Sequence, residues 1–499
     1  MKKFIIFFCL FLSASIAFGQ ERCHIVTDRF HYIAGERLFC SVTALSESGS
    51  GISEQSGVAY AALYSAEGLA ASSRIELIDG RGGGEMTLPK TLPTGNYLLA
   101  AWTKASGLCD RIRVISVYNP ATTARTGDVV IEEEYAPAQA EARKHSSAEI
   151  SLDENAHLSV ALVRDCGLPQ YEALPGGRIA AAGLDEPEGE IISVRISGNE
   201  NYEGLEAFLA VPGSNQLYPA PIEKNGTVRF HTENIHGNQD VAFVIGKNDE
   251  VGKYTLSLVQ PFPEAIGLEI PAMRLSLSMK PLIAELGNSV VDTLDIVFPE
   301  RKPSSLYADK STSFSYILDD YTRFPTMRET ITEFVSDIRA RRDNGEVDLR
   351  VRYIEDMNGY SRYDKKRSLI MLDGVPIFKQ QLIYEYDPTL VERIDIYRGI
   401  YVMGNNYFRG MANFVTFEKT LPAFSFGDDV KILEIDGVSP VHAYSGGHET
   451  LYWNPLVELE TGQKLEISLP ETAEGRYILT VEGFTDSGKA VCEKFLLSK

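Results

Sequence analysis

The sequence predicts a mainly β chain of tandem β-sandwiches, with one α+β domain inserted before the last of them. Three observations carry this expectation. Runs rich in β-branched and aromatic residues, such as Ala59 to Tyr64, Leu158 to Val163 and Tyr477 to Val481, are bounded by glycine, proline, serine and asparagine clusters. Helical spacing of apolar residues is clearest at Met327, Ile331, Phe334, Val335 and Ile338. In that same region Asp373-Gly374 separates two apolar runs and reads as a tight turn.

Residues 1–19 read as a secretory signal. Lys2 and Lys3 give a positive start, Phe4 to Leu12 an apolar core, and Ala17-Phe18-Gly19 a small-x-small cleavage site. The apolar run is shorter than the ~20 residues that span a bilayer. Gln20-Glu21-Arg22 before Cys23 is not a lipobox, so no lipid anchor is expected there. No later segment is apolar for long enough to predict a transmembrane helix after signal cleavage.

The formal net charge is -21 across 499 residues. No basic stripe exists to neutralise phosphates, which argues against nucleic acid and anionic lipid as partners. Five cysteines follow the leader: Cys23, Cys40, Cys109, Cys166 and Cys492. Their spacing supports neither zinc nor thioredoxin-like chemistry. Export permits disulfides. Cys23 opens the first strand and Cys109 falls in a late hairpin, so a sandwich would bring them to one end, and Cys23–Cys109 is the expected pair. Cys40 alternates with apolar residues in Leu38-Phe39-Cys40-Ser41-Val42 and reads as a buried thiol.

The first sandwich is expected over 20–119. Within it Asp28-Arg29-Phe30-His31-Tyr32-Ile33-Ala34-Gly35-Glu36-Arg37 precedes an apolar strand, and Leu92-Pro93-Thr94-Gly95-Asn96-Tyr97 opens a closing one. This pair of motifs resembles a macroglobulin-type (MG2) domain. The physics of the motif is structural, with Tyr32 covering a sandwich edge, Gly35 turning the chain and Glu36 entering the second strand. Gly82-Gly83-Gly84 lacks the lysine and helix of a phosphate loop and reads as a hairpin turn.

An acidic linker is expected over 120–156, including Glu132-Glu133-Glu134. A second β-sandwich region follows over 157–304, with two strands between Glu269 and Phe298 leading onward. A C-terminal sandwich is expected over 425–499. Its Gly475-Arg476-Tyr477-Ile478-Leu479 echoes Gly95-Asn96-Tyr97-Leu98-Leu99, which supports shared architecture.

The most informative stretch lies within the α+β region, 305–424. Ser-Leu-Ile-Met-Leu-Asp-Gly-Val-Pro-Ile-Phe at 368–378 leads through a helical run to Val-Glu-Arg-Ile-Asp-Ile-Tyr-Arg-Gly at 391–399. It closes on Tyr-Phe-Arg-Gly-Met-Ala-Asn-Phe-Val-Thr-Phe at 407–417. This resembles the plug domain of TonB-dependent outer-membrane transporters. The residues after it are too few for a transmembrane barrel, which needs many strands of roughly ten residues. The resemblance therefore implies a module that docks onto another protein. It places the binding loop at Arg398, Gly399, Tyr401, Gly404, Asn405, Asn406, Tyr407, Phe408 and Arg409, where aromatics and arginine suit an interface.

Enzyme motifs are absent: the chain has no HExxH, GxSxG, P-loop or GxGxxG. No catalytic residue, cofactor or metal site is expected. A macroglobulin's thioester would need Cys-Gly-Glu-Gln, whereas Cys166-Gly167-Leu168-Pro169-Gln170 puts glutamine one place too far.

Together the two resemblances imply an exported Gram-negative envelope protein, in the periplasm, at the outer membrane or on the surface. It is expected to be non-enzymatic and to contact an outer-membrane β-barrel protein or envelope complex through the plug-like domain. The alternatives are an extracellular module that binds glycan or protein in adhesion, and a non-covalent protease inhibitor.

Overall fold

The computed structural model describes residues 21–46, 51–133, 145–198, 200–214, 216–233, 235–246, 252–288, 295–297, 313–343, 346–354, 361–362, 367–425, 427–439, 443–445 and 449–499. The signal segment lies outside them. Strands dominate, and no helix among the described residues is long and apolar enough to cross a membrane.

The first sandwich is a continuous sheet. In order, it runs through Gly68–Glu76, Val58–Ser65, Gly95–Trp102, Leu108–Tyr118, Glu21–Thr27, Arg37–Ser46 and Arg81–Thr87. Its interior holds Ile25, Leu38, Val42, Leu63, Leu99 and Val117. Alternate residues of the same strands do not meet water. Tyr60, Ala62, Leu98, Ala100 and Trp102 pack under Ile179, Phe262 and Val438, which come from later segments. Antiparallel sheets commonly leave one face solvated; here Gly95–Trp102 is buried at every position. That explains why it reads as a solid apolar run.

The motif around Tyr32 behaves as its residue types demand. Tyr32 is buried and donates from its hydroxyl to Asp28 Oδ1 at 2.5 Å. Gly35 adopts φ +98°, a backbone that L side chains rarely take. Glu36 accepts from Ile33 N at 2.6 Å. The Gly82-Gly83-Gly84 run is not a turn. It lies inside the Arg81–Thr87 strand, paired with Val42, Ser41 and Cys40. A Cβ on Gly82 or Gly84 would press on Glu76 or Ile75, so the glycines permit close approach of neighbouring backbone.

The second sandwich packs Ile191–Gly198, Thr227–His231 and Tyr254–Leu258 against Gln216–Pro221, Glu206–Val211 and Asn238–Ile245. Glu206–Val211 again serves two cores. Ala207, Leu209 and Val211 face the sandwich interior, while Phe208 and Ala210 face the α+β domain.

Strand pairing departs from the expected division of the chain in three places. Ala156–Arg164 belongs to the last sandwich, between Thr450–Leu459 and Arg476–Thr485. Conversely, Val430–Asp436 completes the second sandwich beside Asn238–Ile245. The expected linker contributes strands as well: Val129–Glu132 pairs with Met273–Ser276, and Ser147–Ser151 with Lys464–Ser468. These pairings join residues distant in sequence, so local patterning carries no trace of them. Between Met273–Ser276 and Asp295–Val297 the chain also forms a helix, Lys280–Asn288, where only strands were expected.

The α+β domain carries a five-stranded sheet ordered Ser313–Ile317, Val391–Met403, Asn406–Thr416, Leu369–Leu372 and Val375–Pro376. The expected helix is shorter than its apolar spacing suggests. It spans Met327–Glu333, is capped by Thr326 Oγ1 accepting from Glu329 N, and ends before Ile338 opens a strand. The Asp373-Gly374 turn takes positive φ at both residues, 48° and 84°. The buried Asp373 carboxylate accepts from Thr416 N, Thr416 Oγ1 and Leu421 N at 2.7 to 2.9 Å, tying the turn to the neighbouring strand.

In the last sandwich the echo motif has a physical basis. Tyr97 donates to Pro93 O at 2.7 Å and Tyr477 to Glu474 O at 3.3 Å. Each hydroxyl reaches back a few residues, as a tyrosine corner does.

Candidate functional site

The expected binding loop is a β-hairpin. Val391–Met403 and Asn406–Thr416 pair through Ile400↔Arg409, Tyr401↔Phe408 and Val402↔Tyr407, turning at Gly404-Asn405. A break in register beside Gly399 marks a bulge, and a Cβ there would meet the Tyr397 ring. The Gly-Asn dipeptide between apolar runs is itself a two-residue hairpin signal.

Of the nine candidate residues, Phe408 is buried, Arg398, Gly399, Tyr401 and Arg409 are half-buried, and the four at Gly404 to Tyr407 are exposed. Arg398 pairs with Asp337 at 2.7 Å and lies over the Phe314 ring. Arg409 donates to Tyr353 Oη at 2.9 Å and stacks on the same ring. Phe408 is buried, and Tyr401 is half-buried and edge-on to Tyr397. The tip is anchored to the second sandwich: Asn405 N donates to Glu206 Oε1 at 3.0 Å, and Asn406 Nδ2 donates to Glu206 Oε2. Gly404 sits at φ +56° against the Glu206 carboxylate, where any side chain would collide. Tyr407 remains exposed. Beside it stand Ile400 and Val402, which the sequence reading passed over; the three are 54%, 70% and 44% exposed for Ile400, Val402 and Tyr407. Strand alternation puts them on one face.

A second cluster lies along the seam between the first and last sandwiches. Val26, Phe39, Ala161 and Trp453 form its apolar centre. Around them Ser41 and Ser159 hydrogen-bond at 2.6 Å, and Thr450 Oγ1 donates to Asp28 at 3.0 Å. His24 bridges Asp110 at 2.9 Å and Glu482 at 3.2 Å, and Arg113 pairs with the same Glu482. Burial alone would lower the His24 pKa, but hydrogen bonds to Asp110 and Glu482 outweigh it and raise the value. A cleft of about 630 Å³ opens beside this group, lined by Arg22, Asp110, Arg111, Glu482 and Lys494.

Further along the seam His31, Cys166 and Glu449 converge. Burial opposes a charge on His31, yet Cys166 and Glu449 facing it bring its pKa up to about 9. The Glu449 carboxyl is likewise resisted by burial, then brought down to about 2 by His31 and Arg29. Nothing in the local sequence announces this trio, because its members lie in three distant segments.

The expected Cys23–Cys109 disulfide is corrected by the structure, in which both are free thiols. They are register partners on parallel strands, but Cys23 packs into the sandwich interior and Cys109 into the cluster on the other face. Cys109 Sγ donates to Arg111 O at 3.0 Å. Cys40 is fully buried, and its thiol is pushed up to about 12 by that burial.

No protein-family model matches the chain, and no curated protein matches it by sequence. Among solved structures it is similar to trypsin-activated alpha-2-macroglobulin from Escherichia coli, at 9% identity and TM-score 0.18, over 96% of this chain and 24% of that one. It is also similar to the Escherichia coli adhesin FdeC, at 14% identity and TM-score 0.16, over 48% of this chain and 64% of that one. A third is dimeric latent PorU from Porphyromonas gingivalis, at 9% identity and TM-score 0.16, over 96% of this chain and 34% of that one. The chain thus spans about a quarter of the macroglobulin's length. Its class, a mainly β assembly of tandem sandwiches with an α+β insert, rests on the strand pairing described above.

Proposed function

We propose that this chain is a non-enzymatic envelope protein that works by protein–protein contact, presenting the Val391–Met403/Asn406–Thr416 hairpin to an outer-membrane β-barrel protein or a complex containing one. The observation that carries this reading is the exposed apolar face of Ile400, Val402 and Tyr407 on a hairpin whose tip is fixed to the second sandwich through Glu206. Large apolar side chains held in water on a rigid support are what a contact surface uses. Preorganisation of this kind lowers the entropy lost on binding. The strand–turn–strand–helix order of 368–417, which resembles a transporter plug in its sequence, supports a barrel protein as the partner.

The test is in-cell photo-crosslinking from position 407 or 402, followed by identification of the captured protein. Capture of one outer-membrane barrel protein is the expected result. Adducts only with unrelated abundant proteins, or none, at both positions would overturn the proposal.

A further inference from the structure

Three donor types meet where the first and last sandwiches join. His31 comes from the short strand His31–Ile33, which pairs with Leu108–Tyr118. Cys166 follows the Ala156–Arg164 strand, and Glu449 immediately precedes Thr450–Leu459. The backbone bond from Arg164 N to Glu449 O, 2.7 Å, locks the last two segments together. One imidazole nitrogen, one thiol sulfur and one carboxylate oxygen then lie within 4.8 Å of one another.

His31 is 94% buried, since only 6% of it is exposed. Its Nε2 stands 3.3 Å from Glu449 Oε2 but has no aligned hydrogen-bond partner. A buried ring nitrogen in this condition is costly unless something else satisfies it. A cavity of about 30 Å³ adjoins it, lined by Asp28, His31, Cys166, Thr480 and Lys494. That space suits a single small occupant.

We infer that His31, Cys166 and Glu449 form a binding site for one borderline-soft divalent cation, Zn²⁺ foremost. Mixed sulfur, nitrogen and oxygen ligation is zinc chemistry, whereas calcium and magnesium take oxygen donors. Tetrahedral zinc with bonds of about 2.0–2.3 Å spaces its ligand atoms roughly 3.3–3.8 Å apart, so a small inward rotation of the side chains closes the site. Charge is balanced as well. A thiolate and a carboxylate neutralise the dication; Arg29, which donates to Glu449 Oε2 at 2.9 Å, keeps Glu36 at 3.1 Å and Asp28 at 3.8 Å as counter-charges when the cation takes that oxygen. The cation displaces two protons, the thiol's and the one His31 carries beside Glu449, and water from the cavity completes the fourth position. Because the ligands come from both sandwiches and the segment between them, the bound cation acts as a clamp across the seam.

The test is titration of the reduced full chain with Co²⁺ and Zn²⁺. One equivalent should bind, with a near-ultraviolet thiolate-to-cobalt band, and Zn²⁺ should raise the melting temperature. Cys166→Ser should abolish the band and the thermal shift, and His31→Gln should weaken Zn²⁺ binding at least about tenfold. Cys492→Ser, which alters an exposed cysteine away from the trio, should leave both signals intact. Circular dichroism of each variant confirms folding, and Cys166 is only half-buried, so its replacement is tolerated. Cobalt uptake without a thiolate band would overturn the assignment. So would equal zinc affinity in folded Cys166→Ser, or no uptake by the native chain at stoichiometric metal.

Discussion

The seam and the hairpin use similar residues to opposite ends. At the seam, charged groups are buried and paired across two sandwiches: His24 with Glu482 and Arg29 with Glu449. On the hairpin the charged groups are also engaged internally, Arg398 with Asp337 and Arg409 with Tyr353, but apolar Ile400 and Val402 face solvent. Where this molecule meets itself, polarity is inside; where the proposed contact lies, hydrophobicity is outside. The seam should therefore govern stability and the hairpin face should govern binding, with little overlap between the two.

The largest expected effect removes the apolar centre of the seam. Trp453 is fully buried among Val26, Phe39 and Ala161. Trp453→Ala should destabilise the chain by about 3–5 kcal/mol, read by denaturant unfolding. A loss under about 1 kcal/mol would mean that the two sandwiches do not depend on this contact.

Somewhat smaller is the loss of Glu482. Glu482→Ala leaves His24 and Arg113 without their shared carboxylate in a buried site. About 3 kcal/mol of destabilisation is expected, since removing one partner of a buried pair strands the others. If this change were neutral, the seam would be a wetted surface contact worth no more than an exposed ion pair.

The same cluster sets a pH dependence. The folded pKa of His24 lies above its unfolded value near 6.5. Its protonation therefore adds stability that is complete below about pH 6.5 and lost as pH rises through the raised folded value. Asp110 and Glu482 are held low: hydrogen bonding to His24 lowers Asp110, and for Glu482 the bonds and charges of His24 and Arg113 outweigh burial. Their contribution is present above the ordinary carboxylate range and fades in acid. Melting temperatures of the native chain and His24→Gln should accordingly converge as pH rises above neutrality. A gap constant from pH 6 to 9 would show that His24 stays neutral in the fold.

Much of the fold was legible from local pattern, and the failures share a cause. The Asp373-Gly374 turn, the Tyr32-Gly35-Glu36 motif and the Tyr97/Tyr477 echo are short-range devices whose chemistry is complete within a few residues. Ala156–Arg164 also read correctly as a strand, but its partners lie at the far end of the chain. Because Gly95–Trp102 and Glu206–Val211 each serve two cores, neither shows the apolar–polar alternation that would reveal which layers enclose it. The candidate hairpin was found in the right place but misread as a loop, since Gly399, Gly404 and Gly410 outweighed the Gly-Asn turn signal. Its aromatic and arginine residues drew notice, although Ile400 and Val402 are the more exposed. The His31–Cys166–Glu449 trio has no spacing to detect, because tertiary contact alone assembles it.

The smallest expected change in stability belongs to the most direct test. Val402→Asp combined with Ile400→Asp alters two exposed side chains and should shift stability by no more than about 1 kcal/mol in total. Partner capture from position 407 should nevertheless fall at least about tenfold, as expected when a contact centre is charged and desolvated. Thermal stability and crosslink yield measured on the same variant separate the alternatives. Unchanged melting with lost capture is the predicted result. Undiminished capture of the same partner by a fully folded variant would contradict the hairpin face as the site of contact.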